Sequence, residues 1–290
     1  MGVRKPIVAG QFYPAVKAEL VKDIKASFTS KFGPGALPGK RGTKKIAGVI
    51  SPHAGYFFSG AGNAWAFKEL AEAEFPDTYI IIGVNHPGAK TCSSSEDWKT
   101  PLGTVKCDTE LIKKIEEKGI PIDNEAHHGE HSIEVQLPFL QSISKDNAEK
   151  LKIAPIMIAG REFGKMGSKI KDAVDELGRN VVVICSSDFT HYGSNYDYVP
   201  FESYIKENME RGDMTAINFI VKPNPKSLLD YTESTGATIC GRYGICLLLW
   251  LMKNLYKEEK KGELLKYYTS GDVVGDYKNS VGYAAIVFRR

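Results

Sequence analysis

Three apolar runs in this chain break off at histidine-bearing polar segments. Residues 45–50 lead into Ser51, Pro52 and His53; residues 79–84 lead into Asn85 and His86; residues 181–185 lead into the stretch from Ser186 to His191. The runs lack the polar alternation of a half-exposed strand, which fits parallel strands covered by helices on both faces. Open α/β sheets gather ligands at the carboxyl ends of such strands, where loops converge and helix N-termini point their amides. All six histidines fall between His53 and His191 of a 290-residue chain. The runs therefore predict one polar pocket, of metal-binding character, at a sheet edge.

Helical and strand periods alternate along the rest of the chain. After Pro14, the residues Leu20, Val21, Ile24, Phe28 and Phe32 recur at helical spacing until Gly33, Pro34 and Gly35 stop the helix. Residues 33–42 read as a loop, and Lys40, Arg41, Lys44 and Lys45 as its solvated basic face. A phosphate-binding loop is excluded, because only three residues separate Gly35 from Gly39 and Arg41 stands where a hydroxyl residue is needed. Strands at 46–50 and 79–84 around a helix at 59–72 make a βαβ unit, with His53 and His86 at the ends of adjacent parallel strands. A helix is predicted at 109–118 with Asp108 as its cap. Another runs from His131 to about Ile143, kinked or ended by Pro138. Strands at 151–159 and 181–185 flank a helix at 163–177. Helices at 201–211 and 238–256 precede strands at 264–269 and 283–288, and Pro223, Asn224 and Pro225 make the best candidate break, with the pieces on either side too interdependent to be domains. The expectation is a single three-layer α/β domain over residues 1–290, with a central mixed, largely parallel sheet flanked by helices.

With 38 basic against 35 acidic residues the formal charge is +3, so no field large enough to imply a nucleic-acid partner is present. The longest apolar run, from Ile245 to Met252, is far shorter than the roughly 18 residues of a membrane span and reads as a buried helix. No secretory signal follows Arg4 and Lys5, so a cytoplasmic location is expected. Five cysteines without a CxxC spacing argue against a disulfide framework and a zinc ribbon. Any functional cysteine acts as a single thiolate.

Several residues carry candidate chemistry. His53 and His86, at equivalent strand ends, suit a common metal ion. Asp188 lies three residues before His191 and could orient its ring for acid/base work, or cap a local turn instead. A serine hydrolase built on Ser186 or Ser187 lacks the GxSxG elbow. His131 and Glu134 would share a helix face as ligands or their supports, whereas His127 and His128 read as exposed loop residues, and the HExxH zinc pattern is absent. Cys240 sits at the start of an apolar helix next to Arg242, an environment expected to lower a thiol pKa. Cys246 and Cys185 read as core, and Cys92 and Cys107 show no partner.

The motifs PHAGY (52–56), NHPG (85–88), EHSIE (130–134), SSDFTHYG (186–193) and TICGR (238–242) resemble the Memo family, whose prokaryotic members are called AmmeMemoRadiSam system protein B. The resemblance covers nearly the whole chain. It implies the fold of the class III extradiol dioxygenases of the LigB type, which are non-haem iron enzymes, and a genomic link to the other AmmeMemoRadiSam system proteins as partners. It places His53 and His86 as metal ligands, Cys240 near the dioxygenases' carboxylate ligand and His191 as their acid/base histidine, with Asp188 beside it. His131, Glu134 and Arg242 become supporting residues. A thiolate in place of a carboxylate is softer, so Fe(II) leads but Cu or Zn also fits; a carboxylate from Glu134 or Asp188 stays open. The leading expectation is a metal-binding protein with oxidative chemistry on a small molecule or peptide in the cleft. The alternatives are a non-catalytic scaffold that holds a peptide or protein partner in that cleft, and a zinc hydrolase.

Overall fold

Residues 46–51, 78–84, 152–158 and 181–186 are almost wholly buried, as strands covered on both faces must be. The computed structural model describes residues 2–86, 90–256 and 261–290. Its strands are β1 (Val3–Arg4), β2 (Ile46–Ser51), β3 (Thr78–Val84), β4 (Cys92–Ser93), β5 (Asp97–Thr100), β6 (Gly103–Cys107), β7 (Lys152–Ile158), β8 (Val181–Ser186), β9 (His191–Tyr192), β10 (Gly262–Thr269) and β11 (Ser280–Arg289). They form one open sheet in the order β1-β5-β6-β7-β3-β8-β2-β11-β10, with β4 on β7 and β9 on β11. The run from β6 to β2 is parallel, while β11 and β10 extend it antiparallel. The expected single α/β domain with a mixed, largely parallel sheet is what forms. Among the described residues no helix is long and apolar enough to cross a membrane.

The helices are α1 (Lys17–Thr29), α2 (Tyr56–Ala71), α3 (Thr109–Glu117), α4 (Asn124–His128), α5 (Gln136–Ile143), α6 (Phe163–Leu177), α7 (Ile205–Val221), α8 (Pro225–Thr235), α9 (Arg242–Asn254) and α10 (Ser270–Val274). One layer packs α1 and α5 around α2; in the other, α6 and α8 pack against α9, which lies across β2, β3, β7 and β8, and α3 packs against α6. Asp108 caps α3 by accepting the Leu111 amide, as expected.

The βαβ reading needs one correction. β2 and β3 are parallel but not adjacent, because β8 is inserted between them. A strand arriving from 181–186 pairs with both, which no local pattern announces. Pro223 to Pro225, the candidate break, forms a helix start: Asn224 accepts the Ser227 amide and Pro225 opens α8, the position where a missing N–H costs nothing. Pro138 is the third residue of α5 and neither kinks nor ends it, since first-turn amides have no intrahelical acceptor. The helix expected from His131 begins five residues later, because 131–135 form turns closed by Gln136 N to Ile133 O and Leu137 N to Glu134 O.

Two expectations about charged and polar residues also change. Arg41 does not belong to a solvated face; it donates to the carbonyls of Leu70, Ala73 and Ile143 and pairs with Asp146 at 2.7 Å, stapling the 33–42 loop onto α2 and α5. His127 is buried in α4, edge-on to Trp98, and His128 pairs with Glu96 at 2.7 Å, so neither is an exposed loop residue.

The buried Glu134 carboxylate hydrogen-bonds no histidine and forms an ion pair with Arg4 at 2.6 Å. The same carboxylate accepts the amides of Ile7 and Val8 and the Tyr13 hydroxyl, while Arg4 donates to the carbonyls of His127 and Glu130 and lies 4.2 Å over the Trp98 ring. The expected pairing of Glu134 with His131 on one helix face fails because the two residues precede the helix. Glu134 instead locks the N-terminal segment to the 127–134 stretch. Replacing Arg4 by Met leaves an uncompensated buried carboxylate, and denaturant titration should show a loss of about 3–5 kcal/mol. The double variant Arg4→Met/Glu134→Gln should recover part of it.

Candidate metal centre

His53 follows β2 directly and is 3% exposed. Its amide donates to Asp188 Oδ1 at 2.8 Å, its Nδ1 lies 2.9 Å from Ser186 Oγ, and its Nε2 lies 3.3 Å from Cys240 Sγ. The Ser186 hydroxyl has one proton, which goes to the Ser132 carbonyl at 2.7 Å. Gln136 Nε2 donates to the same oxygen at 2.9 Å. A hydroxyl that has used its proton can only accept. His53 Nδ1 must therefore carry the hydrogen, leaving Nε2 with a free lone pair toward Cys240. Burial above all, then the neighbouring His131 and His86, push the His53 pKa down to about 4, so the ring is neutral near pH 7.

Buried amides hold this arrangement in place. Asn63, halfway along α2, donates to Ser51 Oγ and to the Pro52 carbonyl, and Gln136 donates to that carbonyl as well, each at 2.8 Å. A Cβ on Gly241 would overlap the Ser187 side chain, and the Gly241 amide donates to Ser187 Oγ at 3.1 Å. That close approach presses the Cys240 segment against the end of β8.

His86 is fixed by Glu130. Its amide donates to Glu130 Oε2 at 3.1 Å and its Nδ1 lies 2.9 Å from the same atom. The Glu130 carboxylate also accepts the Ser132 amide at 2.7 Å. Burial opposes its ionisation, but hydrogen bonds from His86 and Ser132 hold it down at about 2, and the same contact raises the His86 pKa. An ionised carboxylate accepts only, so Nδ1 of His86 is the protonated nitrogen and Nε2 is left over. Pro87 and Gly88 of the NHPG motif lie outside the described residues. His131 stacks on His86 with centroids 5.2 Å apart and meets His53 edge-on at 5.6 Å.

Two donor sets result, each with its atoms within 4.8 Å of one another: His53, His86 and Cys240, and His86, Glu130 and His131. Nitrogen and sulfur donors about 2.0 and 2.3 Å from one tetrahedral ion stand ~3.5 Å apart, close to the 3.3 Å between His53 Nε2 and Cys240 Sγ. Both sets are candidates for holding an ion; in the second, Glu130 already engages Nδ1 of His86.

The thiol differs from expectation. Burial, reinforced by Asp188, pushes the Cys240 pKa well above its ordinary value rather than below it. Arg242 does not offset this: its guanidinium lies 4.9 Å over the Tyr243 ring. Desolvation outweighs the helix N-terminus, leaving a neutral thiol that shares the space between His53 and Asp188.

Asp188 serves His53 and Cys240, the latter through its own amide at 3.2 Å. His191 is held instead by Thr238, whose carbonyl lies 3.0 Å from Nδ1 and whose hydroxyl accepts the His191 amide at 2.8 Å. A carbonyl can only accept, so Nδ1 is protonated and Nε2 is the basic nitrogen. Neither Ser186 nor Ser187 contacts His191 through its hydroxyl; Ser187 Oγ donates to Asp188 O. Sequence reasoning missed Glu130, Asn63, Gln136 and Thr238 as supports. Glu130 had a signal in its place next to His131, and Asn63 in being the lone amide within an apolar, small-residue helix.

Partners that orient a ligating imidazole are worth 10- to 100-fold in metal affinity. Ser186→Ala and Glu130→Gln should each weaken binding by about that factor in a chelator competition, with folding checked by circular dichroism.

The Memo-like protein family model matches residues 4–287. A MEMO1 family protein of Methanopyrus kandleri is 40% identical over 99% of both chains, one of Nitrosopumilus maritimus 39% over 99% of both, and one of Methanocaldococcus jannaschii 38% over 98% of both. The crystal structure of an uncharacterized protein from Escherichia coli K12 shares the fold at 13% identity, with a TM-score of 0.54 over 84% of this chain and 99% of that one. The chain belongs to the Memo family.

Proposed function

We propose that this protein binds one redox-active metal through His53, His86 and Cys240 and uses it for oxidative chemistry on a small molecule in the adjoining cleft. The observation that carries the reading is the tautomer of two rings. Ser186 and Glu130 each take the Nδ1 hydrogen of a histidine, which leaves both Nε2 lone pairs for a ligand while Cys240 Sγ stands 3.3 Å from one of them. Fe(II) is the leading ion, with Cu or Zn as alternatives because a thiolate is softer than a carboxylate. Bound iron would supply open coordination positions for oxygen and substrate together.

The chain's own residues supply proton handling and position. Thr238 pins Nδ1 of His191, so Nε2 is the atom that takes a proton from a substrate hydroxyl and returns it. Asp188 holds the His53 backbone and the Cys240 sulfur in one unit. Buried Asp213, its pKa raised to about 6 by desolvation, accepts both the amide and hydroxyl of Thr190 and so anchors the turn before His191.

Protein loaded with Fe(II) under nitrogen and then exposed to air with a panel of catechols should give ring-opened chromophores. His53→Ala should lose both iron and turnover. His191→Ala should keep its iron and lose about 10²- to 10⁴-fold in rate. Full iron occupancy without turnover on any catechol would overturn the oxidative reading.

A further inference from the structure

The chain between α1 and β2, residues 30–45, carries no helix or strand. Connections of that length without secondary structure of their own are usually functional. Arg41 staples this one to the carbonyls of Leu70 on α2 and Ile143 on α5, and its glycine amides are committed, Gly35 to the Phe28 carbonyl, Gly39 to the Glu72 carboxylate and Gly42 to the Glu72 carbonyl. Held there, it walls a cavity of about 460 Å3 whose other sides come from α1, the last turn of α2 and the end of α5. That volume is in the range of small-molecule sites.

The lining is divided by polarity. Ile24, Phe28 and Ala71 form a buried apolar floor, and Leu37, on the loop, is 48% exposed above it. Lys25, Lys40 and Lys145 line the same cavity and are all exposed. Asp146 is the one carboxylate in the lining and is already paired with Arg41 at 2.7 Å. Three ammonium groups thus border an apolar hollow with no acid of that lining left for them. The 16 residues of α2, about 24 Å from end to end, run from just after His53 to this wall, so the cavity and the metal centre lie at opposite ends of one helix.

We infer that this cavity binds a medium-chain carboxylate, a fatty-acid-like anion whose chain lies on Ile24, Phe28 and Leu37 and whose head group meets the lysines. The floor supplies the hydrophobic contribution, and the lysines select for charge. A phosphate would call for free backbone amides or a guanidinium fork, and here the glycine amides and Arg41 are committed elsewhere. A bilayer would call for projecting apolar groups, whereas Leu37 alone among the large apolar lining residues is exposed. No residue of this cavity belongs to the donor set, so the inference stands apart from the proposed metal chemistry.

The test uses metal-free full-length protein, so that it can fail independently of iron loading or turnover. Octanoate, hexanoate and 1-octanol are titrated by calorimetry. Octanoate should bind about fivefold or more tightly than the uncharged alcohol, the upper end of what an exposed ion pair supplies, and about tenfold more tightly than hexanoate, which is two methylenes shorter. The triple variant Lys25→Gln/Lys40→Gln/Lys145→Gln, changed only at exposed positions, should lose the preference for the acid. Leu37→Asp should weaken octanoate by about tenfold. No measurable binding of octanoate, or equal binding of acid and alcohol by the unmutated protein, overturns the inference without any variant. An unchanged preference in the triple variant, or unchanged octanoate binding in Leu37→Asp, overturns it as well. Binding to phosphatidylglycerol vesicles without binding of octanoate would give the lysines to a membrane surface instead and overturns it too.

Discussion

The site depends on the alignment of three parallel strands. β2 and β8 run in register, with Ser51 opposite Ser186, and β8 and β3 do the same, with Ile82 opposite Cys185. The ladder continues one bond past the strands, from the Ser187 amide to the Ser51 carbonyl at 3.0 Å. All three chains therefore leave the sheet at one level, and His53, His86 and Asp188 emerge together. Side chains alternate with a period of two, so a slip of one residue would turn Ser186 to the opposite face and take the Nδ1 partner away from His53.

Above that platform, hydrogen bonding is divided between the two sides of each ring. The inner nitrogens meet Ser186, Glu130 and the Thr238 carbonyl. Each of those partners is itself held, Ser186 by Gln136 and Ser132, and Glu130 by the Ser132 amide. A buried polar network of this kind rigidifies when every member is satisfied. The outer nitrogens are left free of those partners, and they are where ligands and protons can be exchanged.

The sheet was legible in the sequence where both faces are buried, because residues 46–51, 78–84 and 181–186 have no reason to alternate. The two-residue strands β1, β4 and β9 were not, since their pairing is set by partners far along the chain. Strand order was also invisible: the same pattern would result whether or not β8 separated β2 from β3. Motif resemblance drew attention to His53, His86, His191 and Cys240, and the structure brings His53, His86 and Cys240 into one donor set. Their chemistry was harder to read. The high pKa of Cys240 comes from burial and from Asp188, and the seclusion of Glu134 comes from Arg4, 130 residues away. Neither burial nor contacts at that separation leave a local trace.

The contact between His53 and Cys240 joins groups 187 residues apart. An ion held by both would therefore act as a cross-link across nearly two-thirds of the chain, with its ligands dispersed once the chain unfolds. Closing so long a loop is an entropic burden on the unfolded ensemble, and any ligand restricted to the native state adds its binding free energy to the fold. Metal content and folding stability then become two readings of one equilibrium, and a cell that withholds the ion would lower the protein's resistance to unfolding along with its chemistry.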